Sequence, residues 1–435
     1  MALDRLATLL LPDRREGLAE AVARGRAALA GRRVWNVNST AGGGGVAEML
    51  TTMVAYSRGG GADARWLVIE GNPEFFVLTK RIHNLLHGSP GDGGPTGPAE
   101  RATYEQTLGQ QVEGLTSLVQ PGDVVLLHDP QTAGLAGALR DHGAHVAWRC
   151  HVGTDARNAE TERGWAFLEP YVRAAPATIF TRRTYVPDWM DQDSLWLIPP
   201  SIDPLSTKNR SLPPQDVVAT VQRLRIMPAD ARVVLQVSRW DRLKDMAGVL
   251  TGFADHLGEM PEDVHLLLAG PEPAGVSDDP ESAEVRGLCD EIWSSRPAAD
   301  RRRLHLASLP MDDIDENAHI VNALQHHAAV VVQKSLAEGF GLTVAEAMWK
   351  ERPVVASRVG GIEDQIVDGE SGLLLDDPTD LDGCMRLVRE VLVDAGLAAR
   401  LGVAARERVR DRFLVDRHLR QYVELFEAMM STATG

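Results

Sequence analysis

The chain has only three cysteines in 435 residues, Cys150, Cys289 and Cys384, an odd number at unrelated spacings. They indicate neither a disulfide framework nor a zinc site, and the expected compartment is reducing. It has no apolar stretch of membrane-spanning length, and the opening MALDRLATLLLPDRREGLAEAV carries only a short apolar run broken by charge. A cytoplasmic protein with no membrane partner is expected. Positive charge is in deficit, 45 Lys and Arg against 61 Asp and Glu for a net charge of −16. That balance argues against a nucleic-acid partner, which requires a basic face. A bound phosphate would instead be held by a few placed cations and backbone dipoles. No carboxylate pair has the look of a metal clamp for a diphosphate, so no metal site and no required cofactor are expected. A dinucleotide fingerprint is also missing, because the spaced glycines and the acidic residue after the second strand do not both fall into place.

What is present is an alternation of strands and helices in two series, in a chain long enough for two or three domains with full cores. In the first series, 18–29 and 46–56 have helical spacing, and 33–38, 64–69, 124–127 and 146–150 read as strands. The proline-punctuated stretch 197–204 leads out of it. In the second series 232–237, 264–269, 304–306, 329–332 and 353–357 read as strands, with helical patterns between them. Such alternation is the signature of α/β doubly wound parallel sheets. Residues 87–100 are too rich in glycine and proline to pack and are expected to form a mobile loop, and 406–430 is one long run of helix formers.

Polar residues gather where strands end, the edge at which an open α/β sheet keeps its ligands. After the first strand, Gly42, Gly43, Gly44 and Gly45 lead straight into a helix, a context that suits a phosphate or sugar, though a bare glycine run is also compatible with a plain flexible loop. The second strand ends at Glu70, and the helix after it carries Lys80, His83 and Asn84. Two further strands end at His128-Asp129 and at Arg149-Cys150-His151, where a structural histidine is as expected as a catalytic one. In the second series, Arg239, Asp241, Arg242, Lys244 and Asp245 cluster directly after a strand. A solvated charge run is the plain reading of that cluster, but its place in an acidic chain points to a function.

The stretch 333–350, QKSLAEGFGLTVAEAMWK, has the most chemistry in it. It puts Glu338 and Glu346 on either side of Phe340, which Gly339 and Gly341 bracket, where a buried strand gives way to a helix. Free N–H groups at the helix start, from Leu342 and Thr343 onward, would meet an anion. Thr343-Val344-Ala345-Glu346 also reads as a capping box, in which the glutamate only satisfies the helix terminus. Glu338 has no capping work to do, and two carboxylates so spaced can contact two sets of hydroxyls on one elongated ligand.

The stretch resembles the E-x7-E element of retaining glycosyltransferases of family 4, and Arg239 with Lys244 is similar to their R-x4-K element. The residue after that lysine is commonly glycine in the family, and here it is Asp245. The resemblance implies the GT-B fold, two Rossmann-like doubly wound domains facing a central cleft. It also implies a closing helix that returns to the first domain, giving an acceptor-side domain of 1–204 with 415–435 and a donor-binding domain of 205–414. By the same resemblance Arg239 and Lys244 hold the donor diphosphate, Glu338 the donor sugar and Glu346 the ribose, while Gly43, Gly44, Gly45, Phe340, Gly341, Leu342 and Thr343 complete the donor site. First-domain stretches including 34–41, 43–48, 66–71, 128–131 and 148–151 resemble more narrowly the trehalose glycosyltransferring synthases. These imply transfer of glucose from a nucleoside diphosphate donor to free glucose with retention, giving α,α-trehalose. The expected partners are thus a nucleotide sugar and a small sugar acceptor, with a homodimer left open.

A retaining transfer on this scaffold needs no nucleophile from the protein, so Glu338 is not assigned as one. His151 is the expected first-domain contact to the sugar, and Glu70, Asn84, Asp129 and Arg149 are the acceptor-side candidates. The acceptor wall departs from the shared pattern at 88–97 and at 152–155, which leaves another polyol or cyclitol open as acceptor. A trehalose phosphorylase, a sugar-nucleotide epimerase and a non-enzymatic nucleotide-binding module are the competing readings.

Overall fold

A computed structural model describes residues 3–42, 45–273 and 281–431. The chain divides into two compact units, one made of the residues up to Ser201 together with those from Val415 onward, the other of Ile202–Leu414.

The first unit is built on β1 (Arg33–Asn38), β2 (Asp63–Val68), β3 (Val124–His128), β4 (His145–Cys150), β5 (Ala177–Phe180) and β6 (Leu195–Leu197). They form one parallel sheet in the order β2-β1-β3-β4-β5-β6. The second unit carries β7 (Arg232–Val237), β8 (Val264–Pro271), β9 (Leu304–Leu309), β10 (Val330–Gln333), β11 (Val354–Ser357) and β12 (Leu373–Leu375). Its parallel order is β12-β11-β10-β7-β8-β9. The central strands are buried along their length, as parallel strands covered by helices on both faces must be. In each sheet the strand order reverses once, between β1 and β3 and between β7 and β10, and the crevice outside the carboxyl ends there is where such sheets bind ligands.

The first unit's core is aromatic, with Trp148, Trp165 and Phe180 packed at ring separations of 6.0 to 6.4 Å. Asp123 closes the opposite end of its sheet, accepting from Trp35 Nε1 and from the backbone of Arg33 and Gln120, each at 2.9 Å. The second unit's core is mostly aliphatic, with Val234, Leu266, Leu268, Val330, Val332 and Val355 packed alongside the buried Trp240 and Phe253.

The run 406–430 spans two helices: Ala395–Arg412 ends, Phe413 and Leu414 are buried, and Val415–Ser431 starts anew. Leu414 pairs with Ile202 across a parallel bridge, which takes its backbone out of the helix. One expectation is corrected, because the segment 87–100 is not free of packing. Arg81 grips it through both oxygens of Asp92, at 2.6 and 2.8 Å, and through the Pro95 carbonyl at 2.5 Å, and a helix begins at Pro98.

The helix Val415–Ser431 belongs to the first unit and lies along Pro12–Ala28. The fully buried Arg149 guanidinium holds it, donating to His418 Nε2 at 2.9 Å and to the Tyr422 hydroxyl. Arg417 donates back to the carbonyls of Pro199 and Pro200 at 2.8 and 2.7 Å.

Candidate active site

At the carboxyl edge of the second sheet, β7 and β10 deliver the charged residues on either side of the strand-order reversal. Lys244 Nζ meets Glu338 Oε2 at 2.6 Å, and the Ser335 hydroxyl donates to the same oxygen at 3.3 Å. Arg239, with its side chain 35% exposed, lies 3.3 Å from Asp241, whose other oxygen caps Leu243 N at 2.8 Å. Beneath them the buried Lys334 ammonium pairs with Asp245. The loop therefore gathers three cations and three carboxylates within a few residues of two strand ends.

Asp245 has a left-handed backbone at φ 47° and ψ 42°. Aspartate is among the few side chains that tolerate this region. It does more than a glycine would, because its carboxylate also accepts from Gly248 N at 3.2 Å and so caps the helix Met246–Asp255.

The start of the helix Leu342–Trp349 is shaped by glycine. Gly341 sits at φ 84°, and Phe340 is buried with its ring 5.7 Å from that of Phe413. Gly361 packs so closely on this turn that a Cβ there would lie 2.6 Å from Phe340 Cα. Gln365 Nε2 holds the turn from below by donating to the Phe340 and Gly341 carbonyls.

The capping-box reading of Thr343-x-x-Glu346 does not hold. The cap position is Gly341, and Thr343 lies inside the helix with its hydroxyl donating to Gln333 Oε1 at 3.1 Å. Glu346 is 1% exposed, with an oxygen 3.6 Å from Lys208 Nζ. The structure thus brings Lys244 and Glu338 into contact and puts Glu346 below the surface beside a lysine of its own.

The first unit's edge is built differently. His128, at the end of β3, places Nδ1 3.0 Å from His151 Nε2 and Nε2 3.3 Å from Asn36 Oδ1 on β1. Asp129 follows at φ 64° and accepts the His151 backbone N–H at 2.7 Å, while its carbonyl accepts from Trp148 Nε1 at 3.0 Å. Burial, then the Arg149 charge, pulls the His128 imidazole down to about 3, and burial, Arg149 and His128 pull His151 well below its ordinary value. Burial pushes the Asp129 carboxyl up to about 7. These groups are driven toward neutral forms.

Glu70 is exposed and its backbone is clasped by Gln111 at 2.8 and 2.7 Å. Asn84 lies at the far end of the helix Pro73–Leu86, buried against Gly91. That helix begins just after β2, and His87 beyond its end lies 3.0 Å from the carbonyl of Gly153, just after β4. It therefore runs along the carboxyl edge of the sheet. Arg149 is not on this edge's surface, because its side chain is committed to the helix Val415–Ser431. Gly45 starts the helix Gly45–Gly59, and Gly43 and Gly44 lie outside the described residues. Among the described residues no cluster of three or more metal-ligating side chains occurs, and no helix is long and apolar enough to cross a membrane.

Residues 36–187 match the model of the trehalose synthase N-terminal domain, and residues 225–408 that of glycosyl transferases group 1. The chain is 37% identical over 406 residues to the trehalose synthase of Rubrobacter xylanophilus, with 92% of each chain covered. The chain belongs to the trehalose synthase family. It is more distantly similar to the trehalose phosphorylase of Pleurotus pulmonarius, at 27% identity over 415 residues covering 86% of this chain and 54% of that one. Its fold matches the solved α,α-trehalose 6-phosphate synthase of Burkholderia multivorans with a TM-score of 0.71, at 15% identity and 93% and 98% coverage. The protein is thus a trehalose-related glycosyltransferase with the two parallel-sheet α/β domains of the GT-B fold.

Within this trehalose synthase family member, several site residues escaped sequence reasoning, among them Gln365, Lys208 and Asn36. Gln365 and Lys208 carry no signal beyond their polarity. Asn36 carried one, as an amide inside the otherwise apolar centre of β1, where a buried polar group must have a partner.

Proposed function

We propose that this protein is a retaining transferase of glycosyltransferase family 4 that moves glucose from a nucleoside diphosphate to free glucose, giving α,α-trehalose reversibly and without a metal. The observation that carries the donor half is the cation cluster after β7 and β10, in a chain whose net charge is −16. A negatively charged diphosphate finds Arg239, Lys244 and the amino end of the helix Leu342–Trp349 at the strand-order reversal. Kinship to trehalose synthases over nearly the whole chain supports the acceptor half.

In this reaction the bond from glucose C1 to the diphosphate oxygen breaks, and a bond from C1 to the acceptor's anomeric oxygen forms on the same face. The acceptor's proton passes to a diphosphate oxygen, and nucleoside diphosphate departs. The residues' work is electrostatic, since donors aimed at the charge developing on the leaving group stabilise the transition state. Glu338, engaged by Lys244 and Ser335, orients donor hydroxyls in place of attacking C1.

Product analysis tests the reading. A panel of nucleoside diphosphate glucoses is incubated with glucose in a chelator, and the product is resolved by NMR. A single symmetric disaccharide with a small anomeric coupling is expected, as is its cleavage when nucleoside diphosphate is supplied. Cleavage driven by inorganic phosphate alone would make the enzyme a phosphorylase, donor consumption only with another polyol or cyclitol would move the acceptor, and activity lost to the chelator and restored by magnesium or manganese would overturn the metal-free mechanism.

A further inference from the structure

Behind the first unit's edge runs a chain of hydrogen bonds whose polarity can be worked out atom by atom. It starts at Asn36, which is buried. Its Nδ2 lies 3.5 Å from the Arg65 carbonyl, which can only accept. The amide therefore turns its NH2 toward Arg65 and its Oδ1 toward His128 Nε2, 3.3 Å away. Because Oδ1 can only accept, Nε2 of His128 carries a hydrogen. His128 is neutral, held so by burial and by the Arg149 charge, so its Nδ1 is bare. The facing nitrogen of His151, at 3.0 Å, must then donate. The two rings are tilted by only 15° with centroids 5.3 Å apart, a separation close to the N···N distance plus two ring radii. The hydrogen bond is therefore nearly straight and in the plane of both rings. The opposite polarity would set the Asn36 oxygen against the Arg65 carbonyl inside the sheet.

We propose that Asn36 and His128 are positioning residues that fix His151 as the Nε2–H tautomer, leaving its Nδ1 lone pair to accept a hydrogen bond from a substrate hydroxyl. The half-buried His151 ring is the outermost member of the chain, and Asp129 pins its peptide N–H at 2.7 Å, so the ring is set in position as well as in tautomer. A neutral hydroxyl-bearing ligand suits such a bare, uncharged acceptor. The role in turnover rests on the acceptor reading above, whereas the tautomer does not depend on it.

The test is a long-range 1H–15N spectrum of the full chain with 15N-labelled histidine, with His151 signals identified by their loss in His151→Gln. The wild type is expected to show protonated Nε2 and bare Nδ1 on His151. Asn36→Leu removes the acceptor that orders the relay, and the His151 signals then move toward a mixture of tautomers. Acceptor kcat/KM falls about tenfold, the scale of one hydrogen bond, while nucleoside diphosphate affinity stays within about twofold. A wild-type His151 protonated on Nδ1, or an unchanged His151 tautomer in Asn36→Leu, overturns the proposal. Should Asn36→Leu not fold, the wild-type spectrum still decides. The expected tautomer together with no glucose-dependent turnover would remove the acceptor reading and leave the relay standing.

Discussion

The two sheets share one architecture and put opposite chemistry at the same place. At the carboxyl edge of the first, His128, His151 and Asp129 hydrogen-bond to one another and to the backbone, and burial drives each toward its neutral form. At the carboxyl edge of the second, Lys244, Lys334 and Arg239 face Glu338, Asp245 and Asp241 as ion pairs. Burial disfavours charge unless a partner compensates it, and the second edge supplies such partners as ion pairs. A strand end thus does not determine the chemistry of a site. The residues after it decide whether the edge suits neutral hydroxyls or an anion.

The sharpest way to break this contrast is to remove charge from the second edge. Arg239→Ala and Lys244→Ala are each expected to lower transfer from the nucleotide sugar by roughly a hundred- to thousand-fold. Arg239→Ala should shift the melting temperature little, because its pair with Asp241 is partly solvated. Steady-state kinetics with varied donor checks this, and near-wild-type turnover in both variants would remove the cation assignment.

A subtler change separates backbone from charge at Asp245. Asp245→Gly keeps the left-handed turn but leaves Lys334 buried without its carboxylate and removes a helix cap. A loss of about 3 kcal/mol is expected from breaking the buried pair. Asp245→Asn, which retains the turn and the cap, should lose less. Urea unfolding of both variants measures it. Equal stability of the wild type and the glycine variant would mean that only the turn matters.

The smallest effect sharpens the neutral edge. His128 and His151 have folded values below their unfolded value of about 6.5, so they bind fewer protons when folded, and stability is lost as pH falls below that value. Asp129 works the other way. Its folded value of about 7 lies above the unfolded one of about 3.9, so its contribution is full at low pH and is lost as pH rises through that window. Asp129→Asn, which can keep both the turn and the bond to His151 N, should therefore steepen the acid loss and raise the melting temperature at pH 8. Thermal melts from pH 5 to 8 decide it, and parallel curves would show that Asp129 is ionised throughout.

The sequence made the strand–helix alternation legible because apolar runs in parallel sheets are nearly continuous, as in β7, where predicted and observed bounds coincide at 232 and 237. It concealed β6 and β12, which are three residues long and too short to show a period, and β5, whose Ala-Thr-Ile-Phe lacks the unbroken valine run that marks β10 at the same length. On the site, Arg239, Lys244 and Glu338 could be read from their spacing, but nothing in the spacing told that Lys244 and Glu338 touch. Glu346 and Arg149 were both expected to face a ligand, and only packing reveals that one lies within a helix beside Lys208 and the other clamps a distant helix. The Asp245 turn was visible as a departure from glycine, and its solution through a tolerant side chain was not.

The Arg149 clamp also bears on the order in which the protein is made. The first unit is incomplete until Val415–Ser431 arrives to meet Arg149, Pro199 and Pro200, and to pair Asp416 with Arg14 at 2.5 Å. Synthesis from the amino end therefore leaves that unit waiting with an apolar surface uncovered, while all of Ile202–Leu414 leaves the ribosome. The unit that begins second can be the one that finishes first, and the earlier-made sheet stays partly uncovered until Val415–Ser431 closes it.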